Sequence, residues 1–379
     1  QDELNRIYTV SKHLNDVAVM QKYVVVIGDH LSVNGFVPSK NSKKFKKDFE
    51  EIENVFVDIK PANSDARLQP PTLLKNNWFS KPFRMFVEMY GVPKYNDADP
   101  TMLVALSYTL LFGIMFGDVG QGAILSIVGF IAYKKFGLQL GAVGMRLGIS
   151  SMIFGIVFGS VFGSEEILIP MFNAMSPDNT MTLLIAAICL GIILIIISMA
   201  FNVFLNFKKK NLGEAILSQN GICGLVFYII NMFLGLGFVN IFYVLILIVV
   251  PLLLIFLKEP LIRKFEENEK MFPNGFGAFF VEGFFELFEV VLSFITNTMS
   301  FLRVGGFVLS HAGMMLVVYT LAGMVGGVGE YIVIVIGNVF VMCLEGLIVG
   351  IQVLRLEFYE MFSRYYEGNG IPFRTIKED

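Results

Sequence analysis

Charge is scarce in this 379-residue chain: only 16% of its residues are Asp, Glu, Lys or Arg, where soluble domains carry about 25%. That shortage excludes bulk water as the surroundings of most of the chain. Cysteine is nearly absent too. Cys189, Cys223 and Cys343 lie in apolar runs without metal-ligand spacing, so they read as small buried hydrophobes, not as a disulfide or zinc framework. No Gly-x-x-x-x-Gly-Lys-Ser/Thr segment occurs, so no nucleotide site is expected, nor any enzymatic or cofactor chemistry in this chain. The net charge of −3 gives no footprint for nucleic acid. No internal repeat is visible. The chain opens at Gln1 with neither a signal peptide nor a start methionine, and a preceding segment is expected.

What is abundant is apolar surface. Hydrophobic residues make up 55% of the chain and the mean hydropathy is +0.66. Basic residues crowd the front: 14 of the 29 Lys and Arg lie in residues 1–100. The pattern reads as a small soluble part followed by a membrane part. Residues 22–27 and 33–38 read as strands, a basic helix capped by Ser39 or Ser42 runs to about Glu51, and 55–59 reads as a third strand. Pro61, Pro70 and Pro71 mark a linker, and 78–90 is amphipathic, with Trp78 and Phe79 suited to a membrane interface. The expected division is 1–77, the remnant of a cytosolic α/β domain, and 78–379, the membrane domain.

A crossing helix needs roughly 20 apolar residues. Eight candidates follow position 100: 101–117, 119–133, 145–163, 180–206, 213–235, 239–257, 279–325 and 331–364. The expected fold class is therefore an all-α polytopic membrane protein with eight transmembrane helices. The last two are too long to stand perpendicular to the bilayer and read as uninterrupted and tilted; the seventh is expected to extend beyond the bilayer, bend or tilt strongly. With the N-terminal part in the cytoplasm, Lys134, Lys135, Arg146, Lys208, Lys209, Lys210, Lys258, Arg263, Lys264, Lys270, Arg364, Arg374 and Lys377 all fall inside. The outer loops hold Glu165, Glu166, Asp178 and Glu330 instead. That asymmetry is the positive-inside rule, and it predicts both termini in the cytoplasm. Gly155, Gly159 and Gly163, like Gly113 and Gly117, recur every four residues, a spacing that lets helices approach closely in lipid.

Two basic residues remain, Arg303 and Arg355, each well inside an expected span. An arginine at the bilayer centre costs roughly 2.5–3.5 kcal/mol. A salt bridge to a neighbouring helix is one explanation; two arginines on consecutive antiparallel helices favour function. Helical rise places His311 about 12 Å outward of Arg303, and Glu345 at a similar outer depth relative to Arg355. Glu286, Glu289, Glu357 and Glu360 fall on the cytoplasmic side. Asn297, Ser300, Thr298 and Ser310 add polar lining. Polar groups on both sides of an arginine layer are what two offset aqueous half-paths need. Asp118, at a turn, is given a structural role.

At these residues the sequence resembles the membrane subunit of V-type and A-type rotary ATPases, called subunit a in eukaryotes and subunit I in bacteria and archaea. The likeness runs from Pro70 to about Glu360. It includes Pro-Pro-Thr-Leu-Leu-Lys-Asn at 70–76, Met-Tyr-Gly-Val-Pro-Lys-Tyr at 89–95, Asp-Pro-Thr at 99–101, Met-Phe-Gly-Asp-Val-Gly-Gln-Gly at 115–122 and Phe-Gly-Ser-Val-Phe-Gly-Ser-Glu at 158–165. Ser-Phe-Leu-Arg-Val at 300–304, Leu-Ser-His-Ala at 309–312, Glu345 and Arg-Leu-Glu-Phe-Tyr-Glu at 355–360 complete it. The resemblance implies that Arg303 and Arg355 face the carboxylate of a rotating proteolipid ring, with outer half-channel groups at His311 and Glu345 and an inner one at Glu289. It also implies a peripheral stalk and a soluble ATPase sector as partners, reached through the cytosolic domain, and the lipid bilayer as surroundings. Gln121 stands where eukaryotic relatives usually have His, which together with compact outer loops points to a prokaryotic cell membrane. The rival readings are a secondary transporter whose arginines hold an anionic substrate and a membrane anchor that recruits a soluble complex. Neither inverted repeats nor broken spans support the transporter, and an anchor leaves the arginines unexplained.

Overall fold

The computed structural model describes residues 2–50, 52–64, 68–164, 167–172, 177–235, 241–265 and 276–375. The expectations placed on Glu165, Glu166, Lys270, Lys377 and the loop 236–240 lie outside these residues, as do the side chains of Asp178, Arg263 and Lys264. The chain divides into two units, each with its own internal contacts.

The first unit comprises residues 1–75, 91–97 and 368–379. Helix α1 (Asp2–Gln21) leads into a hairpin of β1 (Val24–Ile27) and β2 (His30–Val33), and α2 (Ser42–Glu50) follows. The strands pair antiparallel from Val24↔Val33 to Ile27↔His30, which leaves a two-residue turn at Gly28-Asp29. Gly28 takes the left-handed φ of +62° that a tight hairpin turn asks of its first residue. Neither helix has a buried residue, and Val25, Val26, Ile27, Leu31 and Val33 are exposed. Two expectations are corrected here. The second strand occupies His30–Val33, not 33–38, because the short turn fixes its register. Residues 55–59 form no strand; a β-branched run has no ladder without an edge to pair with. Residues 91–97 and 368–379 join through short bridges, Thr72↔Pro372 and Val92↔Gly370, reinforced by Thr72 Oγ1 donating to the Pro93 carbonyl at 2.8 Å.

The second unit, residues 76–90 and 98–367, is helical. After a short 3₁₀ turn (Lys81–Phe83) come α3 (Arg84–Tyr90), α4 (Thr101–Met115), α5 (Val119–Phe136), α6 (Gln139–Phe158), α7 (Pro177–Lys209), α8 (Leu212–Leu217), α9 (Ile222–Gly235), α10 (Ile241–Phe256) and α11 (Lys258–Phe265). The chain then runs through α12 (Phe276–Ser300), α13 (Leu302–Val325) and α14 (Gly327–Arg355), and closes with a π-helical turn (Leu356–Phe362). Among the described residues five helical stretches are long and apolar enough to cross a membrane: Gln139–Phe158, Asn179–Lys209, Leu212–Asn231, Phe279–Val325 and Gly327–Tyr365. Helices α4, α5 and α10 occupy the other three expected places and are not among the five.

Helix α4 sits at the centre of this unit. Ala105, Tyr108, Leu111, Phe112 and Met115 are all buried, and the Tyr108 hydroxyl reaches α14, donating to the Gly350 carbonyl at 2.9 Å. Helices α5 and α6 meet backbone to backbone: a Cβ on Gly129 would strike Met145 N and Gly141 O, and one on Gly148 would strike Gly122 O and Ser126 N. The glycines expected to allow close packing do so: Gly113 meets Ser150, Gly117 Phe158, Gly159 Pro170 and Gly163 Met315, and only their placement along one helix differs. Gly155 lies in such a contact, against Val119, but Gly159 (φ +73°) ends α6 and Gly163 (φ +75°) lies beyond it. Nor are the two long helices uninterrupted. Phe301 breaks α12 from α13 and buries its ring against Gly191 of α7, while the π turn departs from α geometry directly after Arg355.

Arginines counted only as basic flanks turn out to hold the unit together. Arg146 is buried, donates to the Ala142 and Trp78 carbonyls at 2.6 and 2.7 Å, and lies over the Trp78 ring. Arg364 is buried, donates to Asn220 Oδ1 at 2.9 Å, and lies over Phe294.

Candidate functional site

Two polar groupings lie within the apolar second unit. The first forms where α4 ends and α5 begins. Asp118 takes an extended backbone conformation as the N-cap of α5, which is where an aspartate serves a helix start best. Its carboxylate is fully buried and accepts four hydrogen bonds: from Gln121 N at 2.8 Å, Phe162 N at 3.0 Å, Ser160 Oγ at 2.7 Å and Gly163 N at 2.7 Å. The left-handed backbone at Phe162 and Gly163 turns two amides toward the same acid.

His311 of α13 reaches this carboxylate from the other side. Its Nε2 is 3.8 Å from Asp118 Oδ2, and its Nδ1 is 2.6 Å from Glu345 Oε2 on α14. The first distance is an ion-pair approach without a hydrogen bond; the second is a short hydrogen bond. All three side chains are buried, and Phe116 closes over the imidazole edge. Beside them the Gln121 amide donates to Asn338 Oδ1 at 3.1 Å. Gln121 Oε1, His311 Nε2 and Glu345 Oε1 are buried without a hydrogen-bond partner among the described residues. An imidazole between two carboxylates can take a proton from one side and return it on the other. Among the described residues no group of three or more His, Cys, Asp or Glu is arranged to hold a metal ion.

The second grouping surrounds the arginines. Arg303 is half-buried near the start of α13, and Arg355 is exposed at the end of α14. Arg303 is an electrostatic neighbour of both Arg355 and Glu360, yet neither arginine forms an ion pair among the described residues. Arg303 Nη2 instead donates to Ser300 Oγ at 3.1 Å, and that hydroxyl donates to Glu360, a buried residue of the π turn. Arg303 Nη1 and Glu360 Oε2 are buried and have no hydrogen-bond partner among the described residues.

Leading up to this point, α12 carries Glu286, Glu289, Ser293, Asn297 and Ser300. Steps of three and four put them on one helical face. Glu286 and Glu289 are exposed; Ser293 and Asn297 are half-buried and joined at 3.3 Å. Glu357 is placed elsewhere: it is wholly buried, neighbours Ser107 of α4, and neither of its oxygens has a hydrogen-bond partner among the described residues. The π turn explains the separation. It changes the angle between successive side chains, sending Glu357 into the core and Glu360 toward Ser300. Thr298 bonds Tyr228 of α9 at 2.8 Å and so belongs to helix packing. Asp118 and Asn338 were not singled out as site residues from sequence; the one available signal was Gly-Asp between two apolar runs.

Comparison with known proteins adds the kinship. The chain matches the V-type ATPase 116kDa subunit family over residues 3–138. It is similar to the A-type ATP synthase subunit I of Methanocaldococcus jannaschii, 27% identical, with 91% of this chain and 54% of that protein aligned. The counterpart from Saccharolobus solfataricus is also 27% identical, over 92% of this chain and 60% of that protein. The one from Aeropyrum pernix is 26% identical, over 99% and 62%. The chain thus spans a little over half the length of the curated relatives it matches.

Proposed function

This chain is a relative of the V/A-type ATPase subunits termed I or a, and from that premise we propose that it forms the stationary half of an ion pathway in the membrane sector of a rotary ATPase. In this reading α4, α5 and α10 complete eight crossings with both termini in the cytoplasm. A rotating proteolipid ring runs past Arg303 and Arg355, and residues 1–77 face the peripheral stalk and the soluble ATPase sector.

The observation that carries the reading is Arg355, a permanent cation exposed at the end of α14 that forms no ion pair among the described residues, Glu360 being only an electrostatic neighbour. Lipid alone is a costly neighbour for that group, so an acidic surface of a partner is the fitting one. A rotor carboxylate crosses lipid only when neutral, since burying its charge is expensive. Beside a guanidinium at 4 Å the attraction is about 4 kcal/mol at an effective dielectric of 20, which corresponds to roughly three pKa units. That is enough to make the carboxylate release its ion. Arginine suits the task because it keeps its charge throughout.

The two polar groupings supply the rest. The face from Glu286 through Glu289, Asn297 and Ser300 leads to Arg303 from one side. The cluster of Asp118, His311 and Glu345 lies beyond it on the other. Ions enter by one route and leave by the other, and the positive layer between keeps them from short-circuiting, so passage requires the ring to turn. Glu357 is given no place on either route.

The test is Arg303→Gln in the reconstituted complex. Ion pumping driven by ATP is expected to fall to background while the complex still assembles. Pumping at the wild-type rate would overturn the reading.

A further inference from the structure

Arg303 and Glu360 are electrostatic neighbours inside the protein, and opposite charges so placed ordinarily close into a direct, bidentate pair. Here they do not. The Ser300 hydroxyl stands between them, accepting from Arg303 Nη2 at 3.1 Å and donating to Glu360 Oε1.

The backbone is built to hold the hydroxyl there. Phe301 N donates to the Thr298 carbonyl at 3.2 Å and Val304 N to the Phe301 carbonyl at 3.0 Å. Both bonds span three residues instead of four. Where a helix tightens in this way, side chains three apart eclipse, so Ser300 and Arg303 stack on one face. The buried Phe301 ring, set against Gly191, fixes the tightened turn. On the other side, the π turn brings Glu360 to the hydroxyl.

We infer that Ser300 is a positioning residue that keeps Glu360 from pairing directly with Arg303, so that the guanidinium stays oriented but uncapped. Arg303 Nη1 is buried and has no hydrogen-bond partner among the described residues, so the fork is not already closed on an acid there. A direct pair would occupy the guanidinium fork and offset its charge before any rotor acid arrived. A serine meets the need because it bonds both groups at once, as donor to the acid and acceptor from the base. The inference rests on the proposed role of Arg303 against a rotor carboxylate.

The experiment compares Ser300→Ala, Ser300→Thr and the double variant S300A/E360Q in the reconstituted complex, with Arg303→Gln as reference. Ser300→Ala is expected to assemble but pump about tenfold more slowly, the scale of one lost hydrogen bond to a charged group. Ser300→Thr keeps the hydroxyl and is expected to pump at near the wild-type rate. The double variant has no charged acid to close on Arg303 and is expected to pump faster than Ser300→Ala. A map of Ser300→Ala is expected to show Glu360 in direct contact with Arg303. Wild-type pumping by Ser300→Ala, a threonine variant as slow as the alanine one, or no gain in the double variant would overturn the inference. Wild-type pumping by Arg303→Gln would instead overturn the functional reading on which it depends.

Discussion

Asp118 ties together the start of α5, the loop at 160–163 and His311 with one carboxylate. All four of its hydrogen bonds come from donors, which suits an acceptor-only group and no other. Asp118→Asn would turn an amide NH₂ toward donors already in place. The variant is expected to lose about 1–3 kcal/mol of stability, the scale of an unsatisfied buried polar group. Thermal unfolding in detergent would measure it, and an unchanged midpoint would sink the prediction. Some of this cluster could be read from sequence. Helical rise set His311 and Glu345 at one depth, and the structure brings them to 2.6 Å. Asp118, at a turn near the outer end of the first span, does not join them in the sequence, because a turn aspartate reads as structural and its partners lie on a loop and on α13. Glu357 and Glu360 read alike in the sequence, three residues apart near the end of one span. Only the π turn separates them, and no sequence period announces it.

At the level of elements, the close seam between α5 and α6 depends on residues without side chains. Gly129→Leu would drive a side chain into Met145 N and Gly141 O, where backbone cannot yield without parting the helices. A loss of at least about 1–3 kcal/mol is expected from such overpacking. Gly144→Ala on the facing helix α6 meets only ordinary contacts, at 3.9 and 4.0 Å, and should leave stability unchanged. Comparable unfolding of the two variants would contradict this account of the seam. Hydrophobic length gave the order and approximate bounds of the helices, since a bilayer enforces length strictly. It gave neither the break at Phe301 nor the left-handed end of α6. The break is set by a ring seeking a notch on α7 and the end of α6 by Gly159 turning close against Pro170, contacts that leave the apolar pattern of the chain untouched.

For the molecule as a whole, the charge bias between helix ends makes orientation testable. Lys134 and Lys135 end α5, and Lys208 and Lys209 end α7, whereas the turn between α13 and α14 carries no basic residue. In a background with its three cysteines replaced, Asn211→Cys should react with an impermeant maleimide from the cytoplasmic side alone, and Gly329→Cys from the opposite side alone. Labelling of both from one side would refute the eight-crossing arrangement. A further consequence of the proposed function concerns the time before partners arrive. A lone copy of this chain carries Arg355 on its outer face, and the bilayer must then answer the cation itself. It does so by drawing water and phosphate headgroups inward and thinning around the helix. In the proposed assembly the lone subunit would thus be a local defect in its own membrane, which docking of the ring would seal.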